Sequence, residues 1–216
     1  MNSRYQDIAA DLKRNDVQLV VVSKTRSNPE ILEIYNSGHR DFGENRVQEL
    51  REKQASLPKD IKWHLIGHLQ TNKVKYIGSW VHLIHSVDSF ELLNEINKQG
   101  IKNNRVISCL LQVFIAREET KFGLSEEELI GILSHPLFPT LKNIQISGLM
   151  GMATNTDDRS LIRSEFRSLK KLFDTIKNKY FSFDNKFREI SMGMSSDYLI
   201  AVEEAATMVR IGSLVF

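Results

Sequence analysis

The stretch Gln18-Leu19-Val20-Val21-Val22-Ser23-Lys24-Thr25 decides how the rest of the chain is read. Leu19 to Val22 are apolar without alternation, the pattern of a strand buried on both faces, as in a parallel sheet covered by helices. The run Val106-Ile107-Ser108-Cys109-Leu110-Leu111 has the same character. Working outward from Gln18 to Ser23, further strands are predicted at Asp41 to Gly43, Lys62 to Ile66, His82 to His85, Val106 to Val113, Asn143 to Leu149, Phe187 to Ile190 and Met208 to Ile211.

Amphipathic stretches separate these strands. In Leu161 to Lys177, the residues Leu161, Ile162, Phe166, Leu169, Leu172, Phe173 and Ile176 fall on one stripe, and Arg163, Glu165, Lys170, Lys171 and Asp174 cover the other side. Ser125 followed by Glu126-Glu127-Glu128 predicts a helix start, with a hydroxyl cap and acidic residues at the positive end of the dipole. A polar and aromatic segment, Lys179 to Lys186, reads as a surface loop. Strands alternating with helices imply a parallel sheet with helices outside it. Eight such units sharing 216 residues have 27 each, which suits a strand of about 5–6 residues, a helix of about 11–12 and two short loops. The expected architecture is a single-domain α/β fold, a (β/α)8 TIM barrel over residues 1–216, near the lower limit of about 200 residues for such barrels. An open doubly wound sheet has the same periodicity and is the alternative.

Composition narrows the function. The net charge is +2, from 29 basic and 27 acidic residues, so there is no electrostatic case for nucleic acid. No stretch approaches the roughly 18 apolar residues of a membrane span, and the start Met1-Asn2-Ser3-Arg4-Tyr5-Gln6-Asp7 has no apolar signal segment. The single cysteine, Cys109, sits in an apolar run and reads as a small core residue in a reducing compartment. A soluble cytoplasmic protein is expected.

Three features could carry chemistry. Lys24 lies just past a buried strand, at the carboxyl-terminal mouth where barrels place their sites. Partial desolvation there would lower the pKa of its amine and make it a nucleophile towards an aldehyde; the alternative is a lysine that simply leaves the sheet into solvent. The segment Ser191-Met192-Gly193-Met194-Ser195-Ser196-Asp197 precedes an expected helix from Tyr198 to Ala206, and Val209-Arg210-Ile211-Gly212-Ser213 follows closely. Two loops rich in glycine and serine, after the seventh and eighth strands, are where barrels commonly bind phosphate. Arg210 lies inside an apolar strand, where an unpaired guanidinium is costly, so it must meet an acidic partner or a ligand acceptor.

Together with Phe42-Gly43-Glu44-Asn45-Arg46-Val47-Gln48-Glu49, Trp63-His64-Leu65-Ile66-Gly67-His68-Leu69-Gln70-Thr71-Asn72-Lys73 and Gly148-Leu149-Met150, these segments resemble the YggS/PROSC family of pyridoxal-phosphate-binding proteins, whose fold is that of the amino-terminal barrel of alanine racemase. The resemblance covers essentially the whole chain. It implies that pyridoxal 5′-phosphate is held as a Schiff base on Lys24, that Arg210 contacts the pyridine nitrogen, and that Ser195, Gly212 and Ser213, with Ser191, hold the phosphate. It also implies that Asn45, His64 and Met150 line the mouth around the ring. On the residues alone, Asn45 could equally cap a helix beginning near Arg46, Met150 could be core, His64 a hydrogen-bonded core histidine, and Glu44 the partner of a neighbouring base. The chain departs from the family pattern at His68, where proline is common, and at Ser213, where threonine is common; it ends at Phe216, just short of a usual glycine. Serine keeps the hydroxyl that phosphate binding needs.

Racemisation needs a second acid/base on the opposite face of the cofactor. In alanine racemase a tyrosine from a further domain of the partner subunit fills that role, and this sequence stops at the barrel. An arginine facing the pyridine nitrogen also makes the ring a weaker electron sink. The resemblance therefore implies a monomeric, non-catalytic carrier in vitamin B6 homeostasis, with pyridoxal-dependent client enzymes as partners. The alternatives are a cryptic amino-acid racemase using His64 or Tyr198 as the extra base, and a phosphate-sensing barrel with no Schiff base.

Overall fold

Eight strands close into one barrel in strict sequence order: β1 Gln18–Val22, β2 Asp41–Glu44, β3 Lys62–Leu65, β4 Leu83–Val87, β5 Ile107–Val113, β6 Ile144–Gly151, β7 Glu189–Ser191 and β8 Met208–Ile211. This computed structural model describes residues 3–116 and 122–216. Met1 and Asn2, from the polar stretch read above as lacking a signal segment, lie outside the described residues. All neighbouring strands are parallel, and β8 returns to β1 with Gln18 opposite Met208 and Val21 opposite Ile211. That last pairing settles the choice between a closed barrel and an open sheet.

The helices α1 Ser3–Arg14, α2 Asn28–Asn36, α3 Val47–Ser56, α4 Phe90–Lys102, α5 Glu126–Leu133, α6 Arg159–Tyr180 and α7 Tyr198–Glu203 cover the outside. Their starts follow from local chemistry. In α5 the Ser125 hydroxyl accepts from the Glu128 N–H while the Glu128 carboxylate accepts from the Ser125 N–H, a reciprocal cap that satisfies two otherwise orphaned donors. Asp158 caps α6 by accepting from the Ser160 and Leu161 N–H groups, so this helix begins before the apolar stripe does.

Some boundaries differ from expectation. α6 continues through Lys179 and Tyr180, which the polar composition had placed in a loop. In the segment that follows, Phe181 stacks on fully buried Phe187 at 4.3 Å, and Phe187 on Phe173 at 4.9 Å. α7 stops at Glu203 rather than Ala206, because Ala205 takes a φ of 68° and turns the chain into β8. β4 begins at Leu83 and runs to Val87; all five of its residues are buried, so no alternation marks its ends. β6 extends to Gly151, and Gly148, at φ 153°, brings its backbone so close to β7 that a Cβ would lie 1.8 Å from the Glu189 carbonyl oxygen.

Most of the core lies between barrel and helices, with a second apolar group of Val20, Leu83, Leu110, Met150 and Met208 filling the barrel itself, as expected for a packed interior. Cys109 is fully buried and burial pushes its thiol up to about 12, which leaves it a core residue.

The helix α2, immediately after the Lys24 turn, is capped by Ser27 and Glu30. The Glu30 carboxylate accepts from the Ser27 hydroxyl at 2.7 Å, the Ser27 N–H at 2.8 Å and Arg26 at 3.1 Å. The Ser27 bonds, hydroxyl first, hold its pKa at about 2 against an ordinary 4.5. A depressed carboxylate stabilises the fold above its unfolded pKa, and that stability is lost as pH falls through the folded value. Between pH 4.5 and about 2, thermal melts should therefore show a loss of stability that is shallower in Glu30→Gln; equal slopes would contradict this cap.

Candidate functional site

In a closed parallel barrel all strand ends of one kind share a face. Lys24, Asn45, the 192–197 loop and Gly212-Ser213 accordingly follow β1, β2, β7 and β8 on the carboxyl-terminal face. Lys24 occupies a tight turn in which Thr25 has a φ of 63°, and its side chain is exposed rather than partly desolvated.

The turn is anchored from behind. Lys53 of α3 donates from Nζ to the Ser23 carbonyl at 2.6 Å, to Glu44 Oε1 at 2.7 Å and to Glu49 Oε1 at 2.7 Å. The Ser23 hydroxyl donates to Glu44 Oε1 at 2.6 Å, and the Thr25 N–H to Glu49 Oε1 at 2.7 Å. The residues on either side of Lys24 are thus bound into one network, buried at Ser23, Glu44 and Lys53 and open at Thr25. Glu44 is fully buried, and its Oε2 has no hydrogen-bond partner among the described residues. Burial raises the Glu44 pKa even though Lys53 and Ser23 oppose it. Glu44 is therefore the partner of a neighbouring base. Lys53 and Glu49 escaped the sequence reading, although their i,i+4 spacing is a recognisable helix pair.

Asn45 is exposed just past β2 and makes no cap; α3 begins at Val47 with Arg46 at its N-cap position. Asn45 lines a pocket of about 350 Å³ that includes Arg46, His68, Lys73 and Tyr76.

The loops after β7 and β8 are drawn together. The Gly212 N–H reaches Ser195 Oγ at 3.4 Å, and the Arg210 N–H donates to the Gly193 carbonyl at 2.9 Å. Asp197 shapes the first loop by accepting from the Met194 N–H at 2.6 Å. Gly193 has a φ of 93°, and a Cβ there would stand 2.6 Å from Ala201 Cβ, so the loop needs glycine at this point. Ser195 is half-buried and Ser213 exposed.

Inside the barrel, Arg210 is 4% exposed, and the charge of Asp197 acts on it. Its Nη1 donates to Ser191 Oγ at 2.5 Å and its Nη2 to the Gly151 carbonyl at 3.1 Å. Burial lowers its pKa to about 10, with Asp197 opposing, which leaves the guanidinium charged at neutral pH. Three expected site residues take interior places. Ser191 is fully buried between Arg210 and His85, so its hydroxyl is engaged below the phosphate loops. Met150 is fully buried in the inner apolar group, the core alternative left open above. His64 lies under the mouth rather than around it: its Nε2 meets Asp41 Oδ1 at 3.2 Å, at the amino-terminal end of β2, and its Nδ1 meets His85 Nε2 at 2.9 Å. Sequence reasoning missed Asp41 and His85, because inward alternation along β2 and β4 becomes a contact only once the barrel closes.

The arrangement offers an exposed primary amine on a fixed turn, a buried guanidinium with donors for an acceptor atom, and two glycine-serine loops drawn together at one mouth. Those are the groups that would engage, in turn, an aldehyde, a ring nitrogen and a phosphate.

Comparison with known proteins agrees in outline. Residues 1–216 match the family described as alanine racemase, N-terminal domain. A pyridoxal phosphate homeostasis protein of Aquifex aeolicus is 42% identical over 94% of this chain and 87% of its own length. PipY of Synechococcus elongatus, solved without PLP, superposes with a TM-score of 0.92 at 34% identity over 100% of this chain and 99% of that one. The same protein with PLP bound gives 0.89 at the same identity and coverage. The chain belongs to the family of the pyridoxal phosphate homeostasis proteins, within the alanine racemase N-terminal domain fold.

Proposed function

We propose that this protein binds pyridoxal 5′-phosphate covalently through Lys24 and acts in pyridoxal phosphate homeostasis without catalytic turnover. The observation that carries the reading is the placement of an exposed lysine, on a turn anchored at both of its neighbours, at the same barrel mouth as the paired β7 and β8 loops. The residues present fit the cofactor. Lys24 supplies the amine, Arg210 a buried guanidinium whose bonds are to a hydroxyl and a carbonyl, and Ser195, Gly212 and Ser213 the phosphate cradle. When bound, pyridoxal phosphate supplies an aldehyde carbon that condenses with amines and a ring that withdraws electrons from that carbon. Arg210 has only donors to offer the ring nitrogen and no proton to give up, so it favours an unprotonated nitrogen and a weak electron sink.

The two side chains considered as a second base do not serve the mouth. His64 is fully buried in the interior and bonded to Asp41 and His85. Tyr198 packs against the outer core, where burial first and then the charge of Asp11 on α1 raise its pKa. Both placements favour a carrier over a racemase. The same reading has the protein act as a cytoplasmic monomer that passes the cofactor to pyridoxal-dependent client enzymes. The buried thiol of Cys109 suits a reducing compartment, and among the described residues no helix is long and apolar enough to cross a membrane.

The turnover question has a direct test. The cofactor-loaded protein, incubated with L-alanine and other L-amino acids in deuterated water, should leave their α-protons unexchanged by NMR over hours. Exchange above that of free pyridoxal phosphate, lost in Lys24→Ala, would replace the carrier reading with an enzymatic one.

A further inference from the structure

Five polar side chains from five different strands join end to end across the barrel interior. Arg210 of β8 meets Ser191 of β7 at 2.5 Å, and Ser191 Oγ meets His85 Nδ1 of β4 at 3.0 Å. His85 Nε2 meets His64 Nδ1 of β3 at 2.9 Å, and His64 Nε2 meets Asp41 Oδ1 of β2 at 3.2 Å. β4 and β7 are not neighbours in the sheet, so the His85–Ser191 bond crosses the barrel. Gln18 of β1 donates to Asp41 Oδ1 at 2.8 Å and closes the far end.

The chemistry of the two ends sets the direction of the whole chain. A guanidinium has donors and no acceptor, and an ionised carboxylate has acceptors and no donor. Burial works against ionisation of Asp41, but the hydrogen bond from His64 leads the effects that outweigh it and hold the carboxyl below its ordinary value. His85 is fully buried, and burial holds its imidazole well below the usual value and therefore neutral. With a single proton on each ring, His64 and His85 have one N–H and one lone pair each. Asp41 can only accept, so the His64 proton is on Nε2, and His64 Nδ1 must accept. His85 then carries its proton on Nε2 and accepts at Nδ1 from the Ser191 hydroxyl. Ser191 in turn accepts from Arg210. Every link donates in one direction, from Arg210 to Asp41.

We propose that Asp41, His64 and His85 are positioning residues for the cofactor ring: their one-way chain turns the Ser191 hydroxyl proton away from Arg210 and so holds the guanidinium in place for the ring nitrogen. The proposal rests on the reading of Arg210 as the ring contact. No proton moves along the chain; its work is to fix orientation. Without it, the Ser191 proton would be free to face Arg210 and displace it, loosening the donor nearest the ring. Asp41 thereby influences the ring from the opposite end of the barrel.

Histidine tautomers are read directly from ring nitrogen shifts in 15N NMR, which needs no cofactor. In the wild-type protein His64 and His85 should both be neutral Nε2–H tautomers. An Nδ1–H tautomer at either ring, or a doubly protonated His64, would overturn the proposal. Asp41→Asn supplies the second test, because an amide donates as readily as it accepts and so releases the direction of the chain. In this variant both rings should lose their single tautomer. Pyridoxal phosphate should still attach at Lys24, with its visible absorption band shifted and its affinity reduced about three- to tenfold, the coupling expected between members of one network. Normal uptake with an unchanged band and affinity in folded Asp41→Asn would overturn this proposal alone. A wild-type protein that takes up no pyridoxal phosphate would overturn the functional reading, and this proposal with it.

Discussion

Lys24→Ala is expected to abolish the retention of pyridoxal phosphate through gel filtration while leaving the melting temperature essentially unchanged. The two halves of that result have separate causes. The Lys24 side chain is exposed, and substitutions at such positions are usually within about 0.5 kcal/mol of neutral. The bonds that shape its turn belong to Ser23, Thr25, Glu49 and Lys53, none of which the substitution removes. The amine, by contrast, is the group that makes attachment covalent, and no serine or glycine amide of the β7 and β8 loops can replace it. Those loops should still bind the phosphate reversibly, so excess pyridoxal phosphate ought to protect the variant weakly against heating. Lys24→Arg separates charge from nucleophilicity: it keeps the cation and should lose retention as completely as alanine. If Lys24→Ala retained visible absorbance at the wild-type level, attachment would have to occur at another lysine.

The second large effect is expected behind the site. Lys53→Met removes the cation that satisfies Glu44, a carboxylate buried without exposure and already lacking a partner at Oε2. Removing one member of a buried ion pair typically costs about 3–5 kcal/mol, because an uncompensated charge remains. In a domain of this size each kcal/mol corresponds to roughly 2–4 °C, so melting should fall by on the order of 10 °C. Adding Glu44→Gln removes that charge and should recover a substantial part of the loss in the double variant. Thermal melts of both variants decide the matter: a double variant no more stable than Lys53→Met would show that lost packing, and not the stranded charge, sets the cost. The same network carries the Ser23 carbonyl and, through Glu49, the Thr25 N–H. Lys53→Met should therefore also weaken cofactor retention.

The parts of this site that were legible in the sequence are those set by local patterns. Continuous apolar runs mark strands buried on both faces, and a residue that ends such a run must sit at the mouth, as Lys24, the 192–197 loop and Gly212-Ser213 do. Strand ends were less visible because residues such as His85 and Ser86 are as buried as Leu83 and Ile84, so hydropathy does not register where pairing begins. The interior chain was out of reach for another reason. His85 and Ser191 are 106 residues apart and meet only across a closed barrel. His64 next to Trp63 was visible as a candidate, but which way its ring faces depends on the register that sets β3 against β2 and brings Asp41 beneath it. Likewise Glu49 and Lys53 are a legible helical pair, whereas their bond to Glu44 depends on how α3 packs over β2.

Borohydride reduction of the wild-type protein after addition of pyridoxal phosphate, followed by peptide mapping, tests the central claim most directly. The protein should turn yellow before reduction, and the reduced pyridoxyl group should be found on Lys24. A protein that stays colourless, or a label spread over other lysines with Lys24 unmodified, would contradict the account.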